Sequence, residues 1–178
     1  WIVETEEGGA TLIACGSTET VLGEVERSFG DALGVACRML EDSRLLAGGG
    51  ATHVALARRL RRFAESIPGR EQLGAEAFAD ALEVIPRVLA ENAGLDPIDT
   101  LLQLVAAQVN GGKDSHYLGL DLLNRRPANM VEQGILEPYL IARQSIAGAT
   151  EAAISILRID DVLWAKQDPT MAEVPEME

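Results

Sequence analysis

Apolar residues recur at spacings of three and four through most of this chain, in stretches cut by glycine and proline. That period belongs to helices that bury one face, so it confines the chain to a mainly α fold with few strands. The longest stretch predicts a helix from about 18 to 46, with a stripe of Val21, Leu22, Val25, Phe29, Ala32, Leu33, Ala36 and Leu40. Ser17-Thr18-Glu19 supplies a hydroxyl cap and an acidic first turn. Gly23, Gly30 and Gly34 each weaken this helix by roughly 1 kcal/mol relative to Ala, so packing along the stripe must compensate. Asp31 falls about 200° from Phe29 at ~100° per residue and points away from the stripe.

Glycine and proline set the remaining boundaries. Gly48-Gly49-Gly50 ends the first helix and opens a second, which runs to about Ile67 before Pro68-Gly69. A third starts near Arg70 and is kinked by Pro86, whose ring clashes with the preceding turn. Asn92-Ala93-Gly94 stops it, and Asp96-Pro97 starts a fourth helix that reaches about Val109. Tyr117 to Leu123 reads as a strand, and 124–133 as loop and short helix. A long helix runs from about Pro138 to Leu157. Short strands are expected at Trp1–Val3, at Thr11–Cys15 and over Arg158–Ala165 (RIDDVLWA), with an unpatterned tail from Gln167.

Charge narrows the function. The 178 residues carry 15 basic and 28 acidic side chains, a net charge of -13. A surface this acidic repels phosphate backbones, which argues against nucleic acid as a partner. No apolar run approaches the ~18 residues of a membrane span. Cys15 and Cys37 lie in apolar segments without a CxxC partner and read as buried thiols. His53 and His116 have no metal-ligand spacing, and no GxSxG elbow is present.

Three places could carry chemistry. Gly48-Gly49-Gly50 lets backbone approach a ligand before a helix N-terminus that favours anions, although on its own it reads more simply as a flexible helix joint; no GK[ST] follows, so it is not a Walker A loop. Asp31 is either a solvated surface acid or a carboxylate that orients a water or holds a metal when another domain closes over it. Glu137, in the GILEP turn, is either a ribose acceptor or an early-turn acid favoured by the helix dipole. Arg58, Arg59, Arg61 and Arg62, beside Glu65 and Glu71, read as a salt-laced helix surface or a subunit contact.

Several segments occur together in one family. GEVERSFGDALGVACRMLED, LLAGGGATHVALARRLRRFAESIPGREQLGAEAFADALEVIPRVLAENAGLDPID, GILEPYLIARQSI and ILRIDDVLWAK resemble, in order, group II chaperonins, the archaeal thermosome and its eukaryotic cytosolic relative TRiC. The resemblance runs from about Gly16 to Lys166 and covers only the C-terminal portion of such a subunit. It implies a mainly α fold: the C-terminal half of a helical equatorial domain plus the descending intermediate-domain helix, with minor strands near both ends. Residues 1–19 would end the apical domain, 20–47 would be the intermediate segment, 48–168 the equatorial half, and 169–178 a mobile tail.

The resemblance also implies roles. Asp31 matches the aspartate that positions the attacking water. Gly49, within Gly48 to Gly50, matches the glycine loop against the nucleotide. Glu137 matches the acid that meets the ribose, and the segment from Asn92 to Asp96 matches the pocket wall near the base. ATP and Mg²⁺ are the implied cofactors, other subunits of a cytoplasmic double ring and non-native polypeptides the implied partners. The sequence departs from the family pattern at Ala142, where a basic residue is usual, and at 107–112. The GDGTT phosphate loop and the metal-binding aspartate have no match in these 178 residues. The chain alone is therefore expected neither to hydrolyse ATP nor to bind it tightly. A truncated chaperonin-like scaffold without ATPase activity is the alternative.

Overall fold

The computed structural model describes residues Ile2–Glu4 and 10–161. They form β1 (Ile2–Glu4), β2 (Ala10–Leu12), α1 (Glu19–Glu41), β3 (Leu45–Ala47), α2 (Ala51–Ala64), α3 (Glu71–Leu82), α4 (Val84–Asn92), α5 (Pro97–Asn110), a 3-10 turn (Gly112–Tyr117), β4 (Leu118–Asp121), β5 (Arg126–Asn129), β6 (Leu136–Pro138) and α6 (Tyr139–Leu157). Three antiparallel strand pairs are present among them: β1 with β2, β3 with β6, and β4 with β5. The chain divides into two units, Trp1–Ala142 and Arg143–Glu178.

In the first unit, α2, α4, α5 and the β4–β5 hairpin share one core. Val54, Ala90, Leu104 and Leu120 are its buried centre, flanked by Leu89, Leu101, Val105 and Leu118. A smaller cluster of Ala47, Ala51 and Met130 lies under Tyr117 and Ala128. Arg61 joins α2 to the α3–α4 junction through Asp80 (2.7 Å) and the buried carboxylate of Glu83. Both acids hold the Arg61 proton, Glu83 more strongly, and raise the guanidinium pKa. These partners replace the nearby Glu65 and Glu71 that the sequence suggested.

In the second unit, α6 continues from Arg143 to Leu157. Thr150 and Ser155 return their hydroxyls to the carbonyls of Ile146 and Glu151, at 2.7 and 2.9 Å. Hydroxyls bonded back onto their own helix need no outside partner. No helix among the described residues is long and apolar enough to cross a membrane.

The structure corrects several expectations. The first helix ends at Glu41, where Asp42 caps it, and 45–47 pair as a strand. Its apolar stripe is not buried: α1 has no buried residue, and Val21, Val25, Phe29 and Leu33 are exposed. Cys15 and Cys37 are exposed too, not buried thiols. Periodicity identifies a face; whether anything covers it depends on elements elsewhere. Pro86 separates two helices instead of kinking one. It is the third residue of α4, where its missing N–H costs no helical bond, and α3 ends at Leu82, the residue whose carbonyl its ring would strike. The 124–133 segment forms β5 and turns, without a helix, and residues 158–161 are not strand. The rest of RIDDVLWA and the tail lie outside the described residues.

Candidate functional site

The β3–β6 ladder builds the site. Leu45 pairs with Pro138, Leu46 with Glu137 and Ala47 with Leu136. One step further, the Gly48 N–H donates to the Ile135 carbonyl at 3.0 Å. The short sheet therefore brings the glycine loop alongside the strand of Glu137, although they are far apart in sequence. Glu137 is half-buried, and its side chain makes no hydrogen bond or ion pair among the described residues, so its acceptors are unused.

The three glycines are required by crowding and by backbone conformation. A Cβ on Gly49 would meet the Met130 sulfur at 2.6 Å and backbone atoms of Leu120 at 3.1 Å. Gly49 and Gly50 also have φ of +59° and +76°, which side-chain-bearing residues rarely adopt. A Cβ on Gly50 would strike Pro86 at 2.8 Å, and one on Gly48 would strike Ile135 at 2.9 Å. The loop is thus pressed onto β4, β6 and α4, and the Leu120 N–H donates to the Gly49 carbonyl at 2.8 Å. Gly50 caps α2 with no side-chain hydrogen bond to the first turn, leaving that end without the oxygen a Ser or Asp cap supplies. Such a terminus suits an anion.

Two polar residues that sequence reading passed over hold this arrangement. Gln108, buried on α5, donates from Nε2 to the carbonyls of Ala51 and Leu118, both at 2.9 Å. It ties the first residue of α2 to β4. Asp121, buried at the end of β4, accepts from the Asn124 side chain (2.7 Å), the Asn124 and Leu123 N–H groups (3.0 and 3.1 Å) and Gln133 Nε2 (2.6 Å). These bonds, led by the Asn124 side chain, lower its pKa from 3.8 to about 2. The Asp-x-x-Asn spacing is a turn signal that could have pointed to Asp121. Gln108 has no comparable mark, because its partners come from distant elements.

The other candidates stand apart from the ladder. Asn92 ends α4 with an exposed side chain. The helix stops there in a Schellman arrangement: Leu95 N–H to Ala90 O at 2.9 Å, Gly94 N–H to Glu91 O at 2.9 Å, and Gly94 at φ +68°. Asp31 is exposed on α1, and its side chain makes no hydrogen bond or ion pair among the described residues. Among the described residues no three His, Cys, Asp or Glu side chains converge as a metal site.

Comparison with known proteins agrees with this fold. Residues 1–167 match the TCP-1/cpn60 chaperonin family. The chain is 53% identical to a thermosome subunit of Methanocaldococcus jannaschii over 157 residues, covering 88% of this chain and 29% of that protein. It is 51% identical to thermosome subunit alpha of Halobacterium salinarum over 166 residues, covering 93% of this chain and 29% of that one. The structure of an open-state monomer of a group II chaperonin from Methanococcoides burtonii superposes with a TM-score of 0.67 at 38% identity, over 89% of this chain and 42% of that chain. The chain thus spans about three tenths of the length of these curated relatives. The helical core around the glycine loop matches a chaperonin equatorial-domain fragment. By sequence and by fold, the chain belongs to the group II chaperonins of the TCP-1/cpn60 family.

Proposed function

We propose that this chain supplies the ribose and water-positioning side of an ATPase site in a cytoplasmic chaperone subunit that folds non-native polypeptides in a double ring. The observation that carries this reading is the β3–β6 ladder, which joins the strand of Glu137, a residue whose side chain has no partner among the described residues, to a glycine loop that leads into the N-terminus of α2. ATP, when bound, supplies the phosphoryl group. The α2 terminus offers N–H donors to its phosphates, and Glu137 accepts from ribose hydroxyls. Asp31, exposed on α1, orients a water once α1 moves over the nucleotide. Asn92 borders the base.

The described residues offer no cluster of metal ligands, so no step through Mg²⁺ is assigned to them. Nor does the chain contain a GDGTT phosphate loop. Phosphoryl transfer needs both functions in one place. The purified chain should accordingly release no phosphate above background from ATP and Mg²⁺. Robust release abolished by Asp31→Ala would show that these residues form a complete site and would refute the division of labour.

A further inference from the structure

Three residues join α1 to β3, and their contacts reach across to the start of α6. Asp42 caps α1, its N–H donating to Arg38 O at 3.0 Å. Its carboxylate grips Arg44 four ways: Oδ1 accepts from the backbone N–H (3.0 Å) and Nε (2.9 Å), and Oδ2 from Nε (3.0 Å) and Nη2 (2.6 Å). The guanidinium then lies over the Tyr139 ring, 4.0 Å from its centroid. The Arg44 carbonyl accepts the Tyr139 N–H at 3.0 Å. Tyr139 immediately follows β6, two residues after Glu137.

We propose that Asp42, Arg44 and Tyr139 form a latch that sets the angle of α1 against the β3–β6 ladder and yields when α1 moves. Nothing on α1 is buried, so its direction depends on the junction and not on packing along the helix. The Asp42–Arg44 pair stiffens the linker, and the Arg44–Tyr139 contacts fasten it to β6. The latch must also be weak. Arg44 is 65% exposed against 17% for Asp42, and an ion pair or cation–π contact open to water on the guanidinium side shifts an equilibrium by a small factor. A joint held this way has a preferred setting without being locked.

What the movement serves rests on the proposed ATPase reading; the latch itself does not. Its test therefore uses no nucleotide. In a Cys15→Ser, Gln103→Cys background, nitroxides on exposed Cys37 of α1 and on position 103 of α5 report the angle as a distance distribution by pulsed electron resonance. The parent should give one narrow peak. Tyr139→Leu should raise the population outside it about fivefold, consistent with the loss of one exposed cation–π contact, and Arg44→Ala at least as much, because it also removes the side-chain bonds to Asp42. Arg59→Ala, an exposed arginine of α2, should leave the peak unchanged. A broad parent distribution would overturn the latch, as would an unchanged peak in both Arg44→Ala and Tyr139→Leu. If Arg44→Ala loses helicity by circular dichroism, Tyr139→Leu decides, together with exchange of the Tyr139 amide in Asp42→Asn. That amide should exchange faster if the latch exists and at the parent rate if it does not. Failure of the latch would leave the roles of Asp31 and Glu137 standing, and failure of those roles would leave these distances unchanged.

Discussion

The Gly48 N–H donates to the Ile135 carbonyl at 3.0 Å, and this bond extends the β3–β6 ladder into the glycine loop. It makes the loop and the strand carrying Glu137 one structural piece. Substitutions that shift either element should therefore disturb the other.

Gly49→Ala should destabilise the first unit by about 1–3 kcal/mol, because it combines a left-handed φ with a clash against Met130 and the Leu120 backbone. Gly74→Ala is the control. Gly74 sits inside α3 with open space around it, and alanine there should stabilise by about 0.5–1 kcal/mol. Urea unfolding of the two variants should move in opposite directions.

Asp121 makes stability depend on acid. Its folded pKa of about 2 lies below its ordinary 3.8, so its contribution is fully present above that ordinary value and is lost as pH falls through about 2. Asp121→Asn should lower the urea midpoint at neutral pH. The gap between variant and parent should narrow between about pH 4 and pH 2. A constant gap across that window would assign the effect to packing.

Glu83 and Asp80 share Arg61 but differ in burial. Glu83→Ala removes a carboxylate that is 5% exposed and leaves Arg61 and Arg87 facing an empty site; it should cost roughly 1–3 kcal/mol. Asp80→Ala removes an exposed partner and should change stability by no more than about 0.5 kcal/mol. Thermal melts would separate the two.

Much of this was legible in the chain. The Asp96 cap was visible, and its carboxylate does accept from the Ile98 and Asp99 N–H groups at 2.9 and 2.8 Å. So was the stop at Asn92-Ala93-Gly94, because capping is local chemistry. The family was legible from ordered segments and the mainly α fold from period. What failed was non-local. Arg126-Pro127-Ala128-Asn129 has no alternation, and it becomes strand only because β4 lies alongside it. The exposure of Cys37 and of the α1 stripe depends on what else packs there. Gln108 draws its importance from carbonyls of distant elements that no spacing announces, whereas the Asp-x-x-Asn turn at Asp121 carried a local signal.

We propose that Asp31, the Gly49 loop and Glu137 contribute to one ATPase site. The most direct measurement is ATP turnover in a hybrid. The matched stretch of the Methanocaldococcus jannaschii thermosome subunit, which is 53% identical, is replaced by this chain's own residues. The hybrid should hydrolyse ATP. Asp31→Ala should lower kcat by about 100-fold or more with KM little changed, in the range of general base catalysis. Glu137→Gln should act mainly on KM. A hybrid that turns over ATP equally well with Asp31→Ala would contradict the account.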